Sequence, residues 1–145
     1  MKIAIGCDHG GYLLKQDVLI WLEEHDIDVE DFGCYSRESV DYPVFGEKVG
    51  RAVASGEADY GIVICTTGIG ISLAANKVAG IRCAHCSESL SAEMTRRHND
   101  ANVLALGAGL TGTNMALRMV EVFLNTEFEG GRHQRRVDQL NAIQP

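Results

Sequence analysis

The stretch Ala58–Val78, ADYGIVICTTGIGISLAANKV, constrains the fold of this chain more than any other segment. Its residues Gly61–Ile64 form a short apolar run rich in β-branched side chains, which is typical of a strand covered on both faces in a parallel sheet. The small residues of TTGIG at 66–70 predict a turn, and Ser72–Lys77 predict a helix. Because backbone N–H groups at a helix start can approach an anion, this strand, turn and helix indicate an α/β protein with its chemistry at the turn.

Cys65 ends the predicted strand, and two interpretations of it are open. A thiolate is favoured near the positive end of a helix, which makes Cys65 a candidate base or nucleophile. Free cysteine is also among the most buried residue types, so the alternative is that Cys65 only packs the core.

Length and composition restrict the class of protein. A chain of 145 residues with 46% hydrophobic and 23% charged residues is expected to form one globular domain over 1–145. No apolar run approaches the roughly 20 residues needed to cross a bilayer, and the N-terminal run is too short for a signal peptide. We therefore expect a cytoplasmic protein with five reduced cysteines and no membrane partner.

Cys83 and Cys86 form a lone C-x-x-C pair within and after a predicted strand, for which we expect neither a redox nor a metal role.

The formal net charge of −7 argues against nucleic acid as a partner. Basic residues nevertheless gather at 96–98 and at 132–136. Two such clusters indicate either a small anionic ligand or solvated helix ends. Arg132 and Arg136 lie four residues apart in a predicted helix over 132–143, so their guanidinium groups share one face and suit a phosphate.

Five predicted strands alternate with helices along the chain, at 2–7, 27–31, 61–64, 81–85 and 102–106. This order predicts a three-layer α/β/α, Rossmann-like domain with a five-stranded parallel sheet. Asp8 and His9 follow the first strand, at the sheet edge where such folds bind ligands, although Asp8 also suits the N-cap of the next helix. Ser87 and Ser91 are candidate caps for a helix over 87–97. The C-terminal helix has few apolar positions, so we expect it to pack on a second subunit.

Seven blocks of sequence carry a resemblance to a known family. They are CDHGG at 7–11, DYP at 41–43, CTTGIGISLAANK at 65–77, GIR at 80–82, RHND at 97–100, NVLALG at 102–107 and EGGRHQRRV at 129–137. In this order and spacing, over nearly the whole chain, they resemble type B ribose-5-phosphate isomerases, a family that includes the galactose-6-phosphate isomerase subunits.

The resemblance implies an aldose–ketose isomerase that interconverts ribose 5-phosphate and ribulose 5-phosphate through an enediolate, without a metal or other cofactor. Cys65 matches the base that moves a proton between C1 and C2, and Thr67 matches the hydroxyl beside the substrate oxygens. His98 with Asp8 matches the pair that opens the furanose ring. The backbone N–H groups of Gly68–Ser72 would stabilise the enediolate. The substrate-binding residues that the match implies are His9, Arg132 and Arg136 at the phosphate, together with Asn99, Tyr42, Thr66, Gly68, Ile69, Gly70 and Ser72.

In this family the site lies between two subunits, which implies a homodimer with a shared active site, or a dimer of dimers. No G-x-G-x-x-G follows the first strand, so a dinucleotide is not expected. The chain departs from the family at Thr66, where Gly is common, and at Gly109, where Arg is common; Arg135 is a candidate replacement for that arginine. These departures keep open another substrate, such as allose 6-phosphate, galactose 6-phosphate, a tetrose phosphate or a free sugar. A non-catalytic module that binds a phosphorylated ligand is a third alternative.

Overall fold

A single parallel sheet organises residues 1–143, the part of the chain that the computed structural model describes. Its strands are β1 (Lys2–Cys7), β2 (Asp28–Asp31), β3 (Tyr60–Cys65), β4 (Cys83–His85) and β5 (Val103–Gly107). They lie side by side in the order β2-β1-β3-β5-β4, so that β3 is central and β4 is an edge. The predicted five-stranded parallel α/β fold is confirmed, with strand ends displaced by one or two residues.

Residues 1–143 form six α-helices: α1 (Tyr12–Glu24), α2 (Tyr42–Ala54), α3 (Ile69–Asn76), α4 (Ser89–Asn99), α5 (Thr113–Asn125) and α6 (Arg132–Ala142). Helices α1 to α5 cover the two faces of the sheet, and α6 packs on α4. Successive side chains of a strand point to opposite faces. In β3, Ile62 and Ile64 accordingly pack with α1, α4 and α5, whereas Val63 packs with α2 and α3. Burial on both faces explains the continuous apolar run from which this strand was predicted.

A fully buried lysine fixes the chain where it leaves β2. The Nζ atom of Lys15 donates to both carboxylate oxygens of Asp31, at 2.8 and 2.9 Å, and to the backbone oxygen of Cys34. These partners offset the cost of removing an ammonium group from water. The sequence gives no sign of this burial, because lysine is a typical surface residue of a helix.

Helix α4 begins at Ser89, two residues later than predicted. Its cap is Glu88, whose carboxylate accepts a hydrogen bond of 2.9 Å from the N–H of Ser91. The expectation that Ser87 or Ser91 caps this helix was wrong, since the Glu88 side chain reaches forward to that N–H instead. His98 and Asn99 therefore lie in the last turn of α4, and Asp100 ends the helix in a left-handed conformation, with φ of 47°.

Arg96 serves the fold rather than a ligand. Its buried guanidinium donates to the Asp100 carboxylate at 2.8 Å, to the Ala101 carbonyl at 2.7 Å and to the Tyr60 hydroxyl at 3.1 Å. Arg97 is paired with Glu93 at 2.8 Å. The basic cluster at 96–98 is thus largely occupied by contacts within the protein, and the anion-site interpretation fails for Arg96.

None of the helices within residues 1–143 has the length and apolar character required to cross a membrane.

Candidate active site

Cys65 lies at the carboxyl end of the central strand β3 and is almost completely buried. The N–H of Gly68 donates a hydrogen bond to its Sγ atom across 3.1 Å. Helix α3 begins at Ile69, three residues before the predicted Ser72, with Gly68 as its N-cap. The sulfur is therefore held at the positive end of a helix, as the turn in the sequence suggested.

Some backbone N–H groups at the start of α3 donate hydrogen bonds within the protein, and others do not. Ile69 N–H donates to the Thr67 hydroxyl at 3.2 Å, and Ser72 N–H donates to the Gly68 carbonyl at 3.3 Å. The Ser72 hydroxyl also donates within the helix, to the Ile69 carbonyl at 2.7 Å. The N–H groups of Gly70 and Ile71 have no protein acceptor among residues 1–143, as expected for a helix start. An oxyanion hole within the segment 68–72 would therefore rest on these two groups.

Asp8 and His9 follow β1 at the same edge of the sheet. The Asp8 carboxylate is buried and accepts hydrogen bonds from Gly10 N–H at 2.9 Å and Gly11 N–H at 3.2 Å. Asp8 thereby caps a short 3₁₀ turn, His9–Gly11, whereas Gly11 is the N-cap of α1, so Asp8 is a cap but not the cap of the predicted helix. The Nδ1 atom of His9 accepts from Val40 N–H at 3.2 Å. A neutral His9 ring consequently carries its proton on Nε2, which is left as a donor.

A cavity of about 390 Å³ opens beside His9. Arg37 and Thr113 also line it, and together with His9 they supply a cation, a hydroxyl and an imidazole. Thr111, from the loop after β5, lies in the same wall. A larger cavity of about 480 Å³, between β4, α4 and α6, contains Asn99 but none of the residues around Cys65.

Thr66 fills the space between two strand-end loops. Its Oγ1 atom lies against Gly10, so that a side chain at position 10 would collide with it. Its Cγ2 atom lies 2.9 Å from the place that a Cβ on Gly109 would occupy. Tyr42 approaches from α2, with its ring carbons 2.7 Å from the place of a Cβ on Gly70. Asp8, His9, Tyr42 and residues 65–72 thus form one group, which we call the strand-end group.

The remaining predicted residues lie elsewhere, on α4 and α6. The rings of His98 and His133 stack with their centroids 4.3 Å apart and their planes at 14°. Glu129 Oε1 lies 3.5 Å from Nε2 of His133 and 3.9 Å from Nε2 of His98. Burial lowers the pKa of His133, and the neighbouring His98 and Arg132 lower it further. With Asn99, Arg132 and Arg136, these side chains form a second group, which we call the α4–α6 group.

Sequence reasoning missed Glu129 and gave His133 no role beyond the basic cluster. No local pattern signals their approach, because Gly130 and Gly131, both with positive φ, separate Glu129 from the start of α6. Arg132, Arg135 and Arg136 are exposed, and none of them pairs with a carboxylate within residues 1–143. They are free to meet an anion.

Within one chain no hydrogen bond, ion pair or ring contact among residues 1–143 joins the strand-end group to the α4–α6 group. The structure therefore brings the predicted site residues together in two places rather than one.

Comparison with known proteins decides the family. The sequence model described as Ribose/Galactose Isomerase matches residues 3–140. The chain belongs to the Ribose/Galactose Isomerase family. Ribose-5-phosphate isomerase B of Escherichia coli is 50% identical to it over 143 residues, which cover 99% of this chain and 96% of that protein.

Solved structures of this family have the same fold. Ribose-5-phosphate isomerase B of Clostridium thermocellum superposes with a TM-score of 0.96 at 56% identity, covering 97% of this chain and 95% of that one. The Mycoplasma genitalium enzyme, solved with bound ribulose 5-phosphate, gives a TM-score of 0.93 at 38% identity, covering 97% and 93%. The predicted family and enzyme class, an aldose–ketose isomerase of sugar phosphates, are confirmed, and the alternative of a non-catalytic binding module is removed.

Proposed function

We propose that this isomerase interconverts ribose 5-phosphate and ribulose 5-phosphate, with Cys65 as the base. The observation that carries the proposal is the position of Cys65, whose sulfur is held by Gly68 N–H beside the free N–H groups of Gly70 and Ile71. A base and oxyanion donors at one helix start are what proton transfer next to a carbonyl requires. The names of the relatives that are 50% and 56% identical support ribose 5-phosphate as the substrate.

The proton transfer runs within the open-chain sugar. Cys65 as thiolate removes the proton from C2 of the aldose, and the electron pair moves to form the C1–C2 double bond of an enediolate. The negative charge develops on O1, where the N–H groups of Gly70 and Ile71 stabilise it, and the Thr67 hydroxyl moves a proton between O2 and O1. The Cys65 thiol then returns its proton to C1, which yields the ketose and restores the thiolate.

The proposed ring opening and phosphate binding use residues of both the strand-end group and the α4–α6 group. In this proposal His98 and Asp8 move the protons that open the furanose, and His9, Arg132 and Arg136 hold the phosphate. Because no hydrogen bond, ion pair or ring contact within residues 1–143 of one chain joins the strand-end group to the α4–α6 group, we propose a homodimer. Each site would combine the strand-end group of one subunit with the α4–α6 group of the other. Leu140 and Ile143, which are 48% and 68% exposed near the end of α6, offer apolar surface for packing on that second subunit.

Cys65→Ala tests the mechanism. General acid–base catalysis contributes about 10²- to 10⁴-fold, so we expect kcat on ribose 5-phosphate to fall by about that factor while KM and the thermal midpoint change little. In deuterated water the wild-type enzyme should introduce deuterium at C1 of ribulose 5-phosphate, and Cys65→Ala should not. Undiminished turnover by Cys65→Ala, with the fold intact, would show that another group is the base.

A second substrate is favoured by one observation, the Thr66 side chain that fills the space beside Gly109. Specificity is a ratio of kcat/KM values, so the decisive measurement ranks ribose 5-phosphate, allose 6-phosphate, galactose 6-phosphate and erythrose 4-phosphate. A clear preference for ribose 5-phosphate dismisses the alternative. A preference for another sugar keeps Cys65 as the base and assigns the change to positions 66 and 109.

A further inference from the structure

Three side chains of the α4–α6 group converge on one point. His98, Glu129 and His133 each offer a ligand atom, and these atoms lie within 4.8 Å of one another. Bonds of about 2.1 Å in tetrahedral geometry separate the ligand atoms of a zinc ion by roughly 3.4 Å. The distances of 3.5 Å and 3.9 Å from Glu129 Oε1 to the two Nε2 atoms are close to that value. The two rings now stack with their planes at 14°, so binding one ion requires the imidazoles to turn out of this stack until both Nε2 lone pairs meet at it.

The carboxylate of this cluster is held in place by neighbouring groups. Glu129 N–H donates to the Arg97 carbonyl at 3.1 Å, and Glu129 Oε2 lies 3.5 Å from Nη1 of Arg97. Arg97 is itself fixed by Glu93 through a hydrogen bond of 2.8 Å. This arrangement leaves Oε1 facing the two imidazoles. Outer partners that orient a ligand in this way are a regular feature of metal sites.

We propose that His98, Glu129 and His133 form a binding site for a divalent transition metal ion, with zinc as the best match. Two imidazoles and one carboxylate are a zinc ligand set that leaves a fourth position open. The proposed isomerisation does not use such an ion, so the site is additional to it. Bound zinc would occupy the Nε2 lone pair of His98 and thereby inhibit ring opening. That consequence rests on the role proposed for His98, whereas the binding itself does not.

Binding is measured directly, by calorimetric titration of the full-length protein with Zn²⁺ under reducing conditions. We expect one ion per chain, and an affinity that falls by about tenfold or more in Glu129→Gln. His25→Asn is the matched control, because His25 is exposed and stacks on Trp21 away from the cluster. Glu129 is itself 42% exposed, so Glu129→Gln should fold normally, which its thermal midpoint will check. His133→Asn, at a buried position, adds a second loss of affinity if it folds.

Cysteine thiolates are the main competing ligands for the ion. Co²⁺ is a spectroscopic probe that distinguishes a thiolate site from the site of His98, Glu129 and His133. A site made of nitrogen and oxygen ligands gives the visible bands of tetrahedral Co²⁺ without a near-ultraviolet thiolate charge-transfer band. A thiolate band, or Zn²⁺ affinity that Glu129→Gln leaves unchanged, would overturn the proposal. So would a loss of affinity in His25→Asn equal to that in Glu129→Gln.

Turnover provides the last measurement. We expect Zn²⁺ to inhibit the wild-type enzyme reversibly, with EDTA restoring activity, and Glu129→Gln to need about tenfold more Zn²⁺ for half-inhibition. The metal-free turnover of each variant serves as its own reference. Glu129-dependent binding without inhibition would leave the metal site established and would count against the proposed role of His98, so the two proposals can fail separately.

Discussion

The sulfur of Cys65 and the backbone N–H of Gly68 are joined by a hydrogen bond of 3.1 Å. Gly68 holds its N–H in this direction because its backbone is left-handed, with φ of 80°. A Cβ at this position would lie 2.8 Å both from the carbonyl carbon of Leu106 and from the His85 ring. Backbone conformation and space therefore both require glycine beside the proposed base.

Replacing Gly68 should accordingly affect stability and catalysis together. A left-handed non-glycine residue costs about 1–2 kcal/mol, and the steric conflict with Leu106 adds to that cost in Gly68→Ala. The displaced turn should also lower kcat. Urea unfolding at fixed protein concentration and steady-state kinetics measure the two effects.

Gly56→Ala is the matched control for Gly68→Ala. Gly56 has nearly the same φ, 82°, but no atom lies within 4 Å of a Cβ placed there. It should lose about 1 kcal/mol of unfolding free energy and keep its kcat. If kcat falls equally in Gly68→Ala and Gly56→Ala, the loss in Gly68→Ala does not come from the Cys65–Gly68 contact.

His9 provides a second prediction, through its bond to Val40 N–H. His9→Asn can keep an acceptor near the Nδ1 position but loses the Nε2 donor. A hydrogen bond to a charged group contributes about 1.5–3 kcal/mol, so KM for ribose 5-phosphate should rise by about tenfold to a hundredfold. Inhibition by inorganic phosphate should weaken by the same factor, while kcat changes less. Unchanged phosphate inhibition in His9→Asn would exclude His9 from the phosphate site.

The strands and helices could be predicted from the sequence, because buried parallel strands are continuous apolar runs and the helices carry apolar faces. The sequence could not predict a residue's burial or hydrogen bonds where these depend on a partner that is distant in the chain. Lys15 is buried only because Asp31 and the Cys34 carbonyl meet it. The division of the segment 68–72 into engaged and free N–H groups depends on where α3 begins, which Gly68 sets by its left-handed backbone. The convergence of His98 on Glu129 and His133 joins two helices that no local pattern connects.

Positions 66 and 109 should behave as a coupled pair. Gly109→Arg alone places a Cβ 2.9 Å from Thr66 Cγ2, so we expect it to destabilise the protein. Thr66→Gly removes that methyl group, and the double variant should recover part of the loss. Contacting residues show interaction energies of about 0.5–3 kcal/mol in such cycles. The measurement is urea unfolding of the two single variants and the double variant, with kcat/KM on the sugar panel. Additive effects would mean that Thr66 does not occupy the space of a side chain at 109.

Buried thiols predict a loss of stability in alkaline solution. Burial raises the pKa of Cys7 to about 12 and that of Cys86 to about 11, and it also raises the pKa of Cys83. Below pH 9, the ordinary value, these thiols are protonated in both the folded and the unfolded chain. Above it the unfolded chain releases protons that the folded protein retains, so the unfolding free energy falls as pH rises toward the folded values.

The expected slope is on the order of 1.4 kcal/mol per pH unit for each such thiol. Urea unfolding between about pH 8 and 10.5, under reducing conditions, measures it, with the sugar-free protein at one concentration throughout. Cys7→Ala should lower the unfolding free energy at every pH through lost packing. Its unfolding free energy should, however, fall less steeply with pH than that of the wild type, by the contribution of one thiol. Cys86→Ala should behave in the same way, and the titrating groups that do not interact with the replaced thiol cancel in the comparison. Parallel curves for wild type and both variants would show that these thiols ionise equally in the folded and unfolded chain.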